Sequence, residues 1–154
     1  MGVRLRPLRE EEFEDWLSRS RDGYVRGMVE DGDFPEPEAR EKAWDDFATL
    51  FVDGFRTAGH AVFALEDDSS GERVGSLWLG ERPHALAVHD VYVEEGLRGR
   101  GYGRAAMLLA EEEARRRGFA RINLNVFAGN AVARSLYRSL GYQERSVYMS
   151  KALS

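Results

Sequence analysis

The chain has 154 residues, a length that fits one domain with a substantial buried core. Hydrophobic residues make up 43% and charged residues 32%, the balance of a folded globular protein rather than a disordered one. There is no cysteine, which excludes disulfides, thiolate metal sites and a cysteine nucleophile. A formal net charge of −5 argues against nucleic acid as a general partner. No apolar run approaches the roughly 20 residues of a membrane span, and residues 1–6 lack the apolar region of a secretory signal. A cytoplasmic protein with no membrane partner is expected.

Residues 3–8 alternate apolar and polar side chains, the period of a strand with one buried face. Pro7 has no N–H to donate, which places that strand at an edge or brings it to an end. From Glu10 the period changes. Phe13, Trp16, Leu17, Tyr24, Val25 and Met28 recur at helical spacings behind the acids Glu10, Glu11 and Glu12. The glycine and prolines of residues 31–37 make a loop. A second helix follows, ending near Gly54, with Ala43, Trp44, Phe47, Leu50 and Phe51 reading as a core stripe. Residues 61–65, 73–79 and 85–93 are strands joined by short turns, and so are antiparallel neighbours.

The third of these strands ends Val91, Tyr92, Val93 and leads to Arg98-Gly99-Arg100-Gly101-Tyr102-Gly103. A helix over residues 101–117 follows, closed by Gly118. Residues 121–127 form a strand with Ile122, Leu124 and Val126 on one face and Asn123 and Asn125 on the other. A strand, helix, strand unit of this kind is parallel with a right-handed crossover. Asn130 suits the cap of a last helix, which has Val132, Ala133, Leu136, Tyr137 and Leu140 on its inner face and Gly141 at its end. Residues 142–152 are expected to form a final strand.

The glycine run lies where the chain leaves a strand and opens a helix. Glycine lets the backbone approach a ligand closely, and a helix start presents unpaired N–H groups with partial positive charge. Such a place binds phosphate or pyrophosphate, and Arg98, Arg100 and Arg104 add full charges around it. Three readings compete. A P-loop needs Lys followed by Ser or Thr, whereas Gly103 is followed by Arg104 and Ala105. A dinucleotide fold needs an acid at the end of the next strand, which instead reads Asn125-Val126-Phe127. A coenzyme A site is the third.

Arg98, Gly101 and Gly103 fill the pattern Arg/Gln-x-x-Gly-x-Gly/Ala, which resembles the acyl-CoA signature of the GNAT (GCN5-related N-acetyltransferase) family. Asn130, Ala133, Leu136, Tyr137, Gly141 and Tyr142 resemble that family's Asn-x-x-Ala-x-x-Leu-Tyr-x-x-x-Gly-Phe segment almost position for position. The resemblance implies an α+β GNAT fold. Its central sheet is mixed and mostly antiparallel, with six to seven strands flanked by about four helices, and it splays into a cleft for acyl-CoA. It implies acetyl-CoA as cosubstrate without a metal, and acetyl transfer to a primary amine of a small-molecule or peptide acceptor by direct attack. A homodimer is among the expected assemblies. The backbone of Val91, Tyr92 and Val93 would hold the thioester and pantetheine. Amides of Arg98, Gly99, Arg100, Gly101, Tyr102, Gly103 and Arg104 would hold the pyrophosphate. Asn125, Asn130, Ala133 and Tyr137 would line the other wall.

Tyr137 is the expected proton donor to the departing thiolate. His89 and Asp90 are the candidates for the base; as strand neighbours they face opposite sides, so one enters the cleft unless a bulge intervenes. The acids Glu30, Asp31, Asp33 and Glu36 lie where acceptors enter in the family, which would suit a cationic amine. Trp78 and Trp44 either line the pocket or fill the core. A non-catalytic acyl-CoA-binding sensor or partner module is the alternative to an enzyme.

Overall fold

The computed structural model describes residues 2–154. The elements are β1 (Val3–Pro7), a 3-10 turn (Glu10–Glu12), α1 (Phe13–Glu30), α2 (Glu36–Leu50), β2 (His60–Asp67), β3 (Arg73–Glu81), β4 (Leu86–Val93), α3 (Tyr102–Arg116), β5 (Ile122–Leu124) and α4 (Ala131–Ser139). The strands form one sheet in the order β1-β2-β3-β4-β5. The first four are antiparallel neighbours, and β5 joins β4 in parallel after the crossover through α3. Among the described residues no helix is long and apolar enough to cross a membrane.

Helices cover both faces of the sheet, so β3 is buried almost throughout. On one face Trp78 meets Phe13 and Trp16 of α1 and Phe47 and Phe51 around the end of α2. On the other, Leu65, Leu77, Leu79 and Leu86 pack against Ala106, Met107 and Ala110 of α3. The start of α1 is tied to the sheet by charge. Arg6 donates to both carboxylate oxygens of Glu12 (2.9 and 3.1 Å) and to Glu66 (2.7 Å). Arg6 holds the Glu12 carboxyl down at about 2.

Three expectations are corrected. Trp44 is not core: it is 60% exposed, with the Arg21 guanidinium 3.7 Å above its ring. The strand expected over residues 121–127 pairs for three residues only. The final strand expected over residues 142–152 is not formed; those residues have no regular secondary structure, and from Gln143 onward they are exposed. Among the described residues the sheet therefore has five strands rather than six or seven. A strand exists only where a second edge completes its hydrogen bonds, and among the described residues this segment pairs with none.

Gly75 of β3 crosses directly under β4, where a Cβ would collide with the carbonyl of Tyr92. Gly75→Ala should therefore destabilise the protein by about 2–3 kcal/mol through forced separation of the strands, measured by urea unfolding.

Candidate active site

Pairing between β4 and β5 runs Leu86↔Ile122, Ala87↔Asn123 and Val88↔Leu124, and goes no further. From His89 to Val93 the edge of β4 faces a gap instead of a neighbouring strand. At the same level the ladder between β3 and β4 slips. Leu79 pairs with Val88 while Trp78 pairs with Asp90, so His89 is the extra residue of a β-bulge. The bulge resets the alternation. Leu86 and Val88 before it, and Val91 and Val93 after it, all pack toward α3, while His89 and Asp90 both turn to the side of α1 and α2.

The two neighbours meet different surroundings there. The His89 ring stacks on Trp78 (centroids 4.6 Å apart) and lies 5.5 Å from His60. Trp78 Nε1 donates to His60 Nδ1 at 2.9 Å. His89 Nε2 is buried with no partner. Burial, with the charges of Arg82 and His60 added, pushes the His89 pKa down to about 4. Asp90 Oδ2 accepts from Arg19 Nη2 at 3.1 Å and from Ser20 Oγ at 2.9 Å. Arg19 also donates to Ser76 Oγ at 3.2 Å, and its guanidinium lies 3.7 Å over the Tyr92 ring. The second carboxylate oxygen of Asp90 makes no hydrogen bond to the described residues.

Tyr137 lies across the gap on α4. Burial, and after it the negative charge of Asp90, raise its pKa above the ordinary phenol value. Its ring packs edge-on against Tyr142 at 5.9 Å, and its hydroxyl bonds to none of the described residues. Asn125 lies exposed just past the last rung of β5. Asn130 Oδ1 accepts from the Ala133 amide at 3.2 Å, so Asn130 caps α4 with Ala133 in the first turn.

The glycine loop forms the outer end of the gap. Gly99 and Gly101 adopt φ of 78° and 90°, a region L residues with side chains avoid. α3 begins at Tyr102 with Gly101 as its cap. The amides from Gly99 to Arg104 have no backbone acceptor. Consecutive free amides at a helix start, reached through glycine, fit a diphosphate, and the vacant edge of β4 fits an extended amide-bearing arm. Arg98 Nε donates to the Val93 carbonyl at 2.9 Å, and Arg104 Nη1 to Ser139 Oγ at 3.0 Å, while Arg100 is exposed. The Tyr102 side chain is buried and donates to Asp67 Oδ2 at 2.9 Å, so only its amide belongs to the loop. Gly103 packs between Leu136 of α4 and Val93 of β4.

The far end of the gap is closed by a clasp. The Gly129 amide donates to the Asp31 carbonyl at 3.2 Å, and a Cβ on Gly32 would lie 2.9 Å from the Phe127 ring. The acidic loop between α1 and α2 is thus pinned to the connection between β5 and α4.

The model of the Acetyltransferase (GNAT) family matches residues 6–142. The chain belongs to the GNAT family. Its relatives include two Bacillus subtilis proteins named as uncharacterized N-acetyltransferases. YycN is 31% identical over 99% of this chain and 100% of its own, and YdgE is 32% identical over 99% of each. The crystal structure of YycN superposes with a TM-score of 0.90 over 99% of each chain. The aminoglycoside N-acetyltransferase AAC(6')-Iy in complex with CoA, 13% identical, shares the GNAT fold at a TM-score of 0.61, covering 99% of this chain and 96% of its own.

Sequence reasoning did not find Arg19, Ser20 or Phe127. Ser20 had a readable signal, a hydroxyl on the otherwise apolar face of α1. Arg19 had none, because its partner Asp90 is 71 residues away.

The His89 shift sets a pH dependence of stability. Between about 6.5, its ordinary value, and about 4, the unfolded chain takes up a proton that the folded imidazole refuses. This depressed value contributes stability that is present above the upper limit and lost as pH falls through the window. Relative to the native protein, His89→Phe should remove about 2–3 kcal/mol of the stability change between pH 7 and pH 4, read from urea midpoints across that range.

Proposed function

We propose that the protein transfers an acetyl group from acetyl-CoA to a primary amine of a small-molecule or peptide acceptor, by direct attack while both substrates are bound. One observation carries this: the free amides from Gly99 to Arg104 open onto the unpaired edge of β4, with Asp90 and Tyr137 on opposite sides of the gap. The CoA complex of a protein with the same fold supports the cosubstrate.

Acetyl-CoA supplies an acyl group on a thiolate leaving group. The chain's own residues do the rest. The loop amides hold the diphosphate end, and the edge of β4 at Val91, Tyr92 and Val93 aligns the arm and thioester. An alkylammonium has a pKa near 10 and must lose a proton before it attacks. The unoccupied oxygen of Asp90 takes that proton, with Arg19 and Ser20 fixing the carboxylate through the other oxygen. His89 is stacked, buried and neutral at pH 7, so its work is to shape the bulge. Tyr137 remains a phenol well into the alkaline range and holds a proton for the departing sulfur. As the C–N bond forms the C–S bond breaks, the thiolate receives the tyrosyl proton, and the second proton of the attacking amine returns to the Tyr137 oxygen. Proton transfer of this kind contributes about 10²–10⁴-fold in rate.

One observation favours the alternative, a module that binds acyl-CoA without turnover: Asp90 is anchored in an ion pair, as a purely structural carboxylate would be. Thiol release separates the two. With a panel of primary amines, the enzyme reading expects thiol release from acetyl-CoA with at least one acceptor; tight CoA binding with release from none would leave the binding module.

Tyr137→Phe should lower kcat by about 100-fold while the acetyl-CoA Kd stays within about twofold, since the lost proton acts only on the leaving group. Gly101→Ala, forced into a left-handed backbone at the cap of α3, should weaken acetyl-CoA binding by about tenfold or more, from roughly 1–2 kcal/mol of strain. Titration calorimetry reads both affinities, and an unchanged Kd for Gly101→Ala would remove the loop from the site.

A further inference from the structure

The chain uses only half of the Arg19–Asp90 ion pair. Arg19 commits Nη2 to Asp90 and to Ser76 Oγ and lays one face of its guanidinium on the Tyr92 ring, while its Nε and Nη1 donate to none of the described residues. Asp90 accepts through Oδ2 alone. The two side chains are 29% and 28% exposed and meet at 3.1 Å. A free cationic edge and a free carboxylate oxygen therefore stand side by side, both open to solvent.

The space beside them is clear as well. Gly23 lies one turn after Arg19 on α1. Outside the helix's own backbone, a Cβ there would have only Arg19 Nη1 within 4 Å, at 3.9 Å. Glycine inside a helix is less stable than alanine, and here the missing side chain leaves room next to the free nitrogen. One turn further, a Cβ on Gly27 would lie 3.2 Å from the Phe127 ring, which stacks on Tyr24. The recess along α1 thus runs from a guanidinium to an aromatic wall, with the Asp90 carboxylate at the guanidinium end. Those bounds suit a small molecule rather than a polymer.

We propose that the acceptor is an α-amino acid, whose amine meets the free oxygen of Asp90 and whose carboxylate meets Nη1 of Arg19. This rests on the transferase reading and names its substrate class. Asp90 and Arg19 together carry no net charge, and a zwitterion laid against them matches each charge with its opposite. Because the two protein groups touch, an ammonium and a carboxylate borne on one carbon reach both. An amine without an anion would instead bring a second cation beside the guanidinium, and like charges repel at such range even near a surface. Hydrogen bonds between guanidinium and carboxylate are among the strong ones. The carboxylate takes no part in the chemistry. The C–N bond forms at the α-amine as the C–S bond of acetyl-CoA breaks, giving the N-acetylated amino acid and the free CoA thiol.

Thiol release from acetyl-CoA is measured with the standard L-amino acids, each beside its α-amide, which keeps the amine and the shape and removes the anion. For at least one pair, kcat/KM for the acid should exceed that for the amide by about tenfold or more. Arg19→Gln also loosens Asp90, so it should slow both members of that pair, but it should bring their ratio close to one. Gly23→Leu fills the recess and should raise KM for the preferred acid by about tenfold, with the acetyl-CoA Kd within about twofold of native. Amides used as well as acids overturn the proposal. So does a preference for the acid that survives Arg19→Gln, or release with putrescine and none of the amino acids. A protein that binds acetyl-CoA but releases thiol with no amine removes the transferase reading instead. Titration calorimetry of the same pairs into the CoA-loaded protein then decides: an acid bound about tenfold more tightly than its amide upholds the recognition site, and equal or absent binding overturns it.

Discussion

The structure turns on a parallel pairing that stops after three rungs. β4 and β5 stay together only as far as Val88 and Leu124, and at that level His89 is squeezed out of the ladder with β3 as a bulge. Had the pairing continued, β4 would have spent its edge on β5 and no opening would exist. Because it stops, the main chain from His89 to Val93 faces a gap with donors and acceptors to offer. Buried backbone groups are nearly always paired, so a vacant edge inside a fold leaves main-chain groups free to pair with another extended molecule.

The bulge does a second thing. It turns His89 and Asp90 to one side, where α1 and the aromatic cluster receive them differently. His89 becomes part of a stack with Trp78 and His60, which packs the bend against the aromatic cluster. Asp90 is met by Arg19 and Ser20, so a helix far away in sequence fixes where its charge lies. That charge reaches Tyr137 across the gap and helps keep the phenol protonated. One displaced residue in one strand thus sets a carboxylate on one side of the gap, with a phenol facing it from the other.

At the other end of the gap the backbone itself presents the polar groups. Gly99 and Gly101 take left-handed conformations, so the chain enters α3 with its amides unobstructed. The arginines nearby are partly engaged elsewhere, Arg98 with the end of β4 and Arg104 with α4. They fasten the loop between its neighbours as well as lending it charge.

Local rules of the chain made much of this legible before any contact was known. Helical and strand periods, the acids before Phe13, the cap at Asn130 and the glycines ahead of α3 depend on residues a few positions apart, and they marked the order of the elements up to α4 and the glycine turn into α3. Distant partners decided the rest. Whether His89 and Asp90 share a side depends on a register slip against β3. Whether Trp44 is core depends on where α2 lies on the sheet. Arg19 finds Asp90 only after helix and strand have packed, because side-chain pairing across tens of residues leaves no trace in sequence spacing. The last segment has the pattern of a strand, yet a strand is a relation between two edges, and only the tertiary structure shows that the segment pairs with none of the described strands.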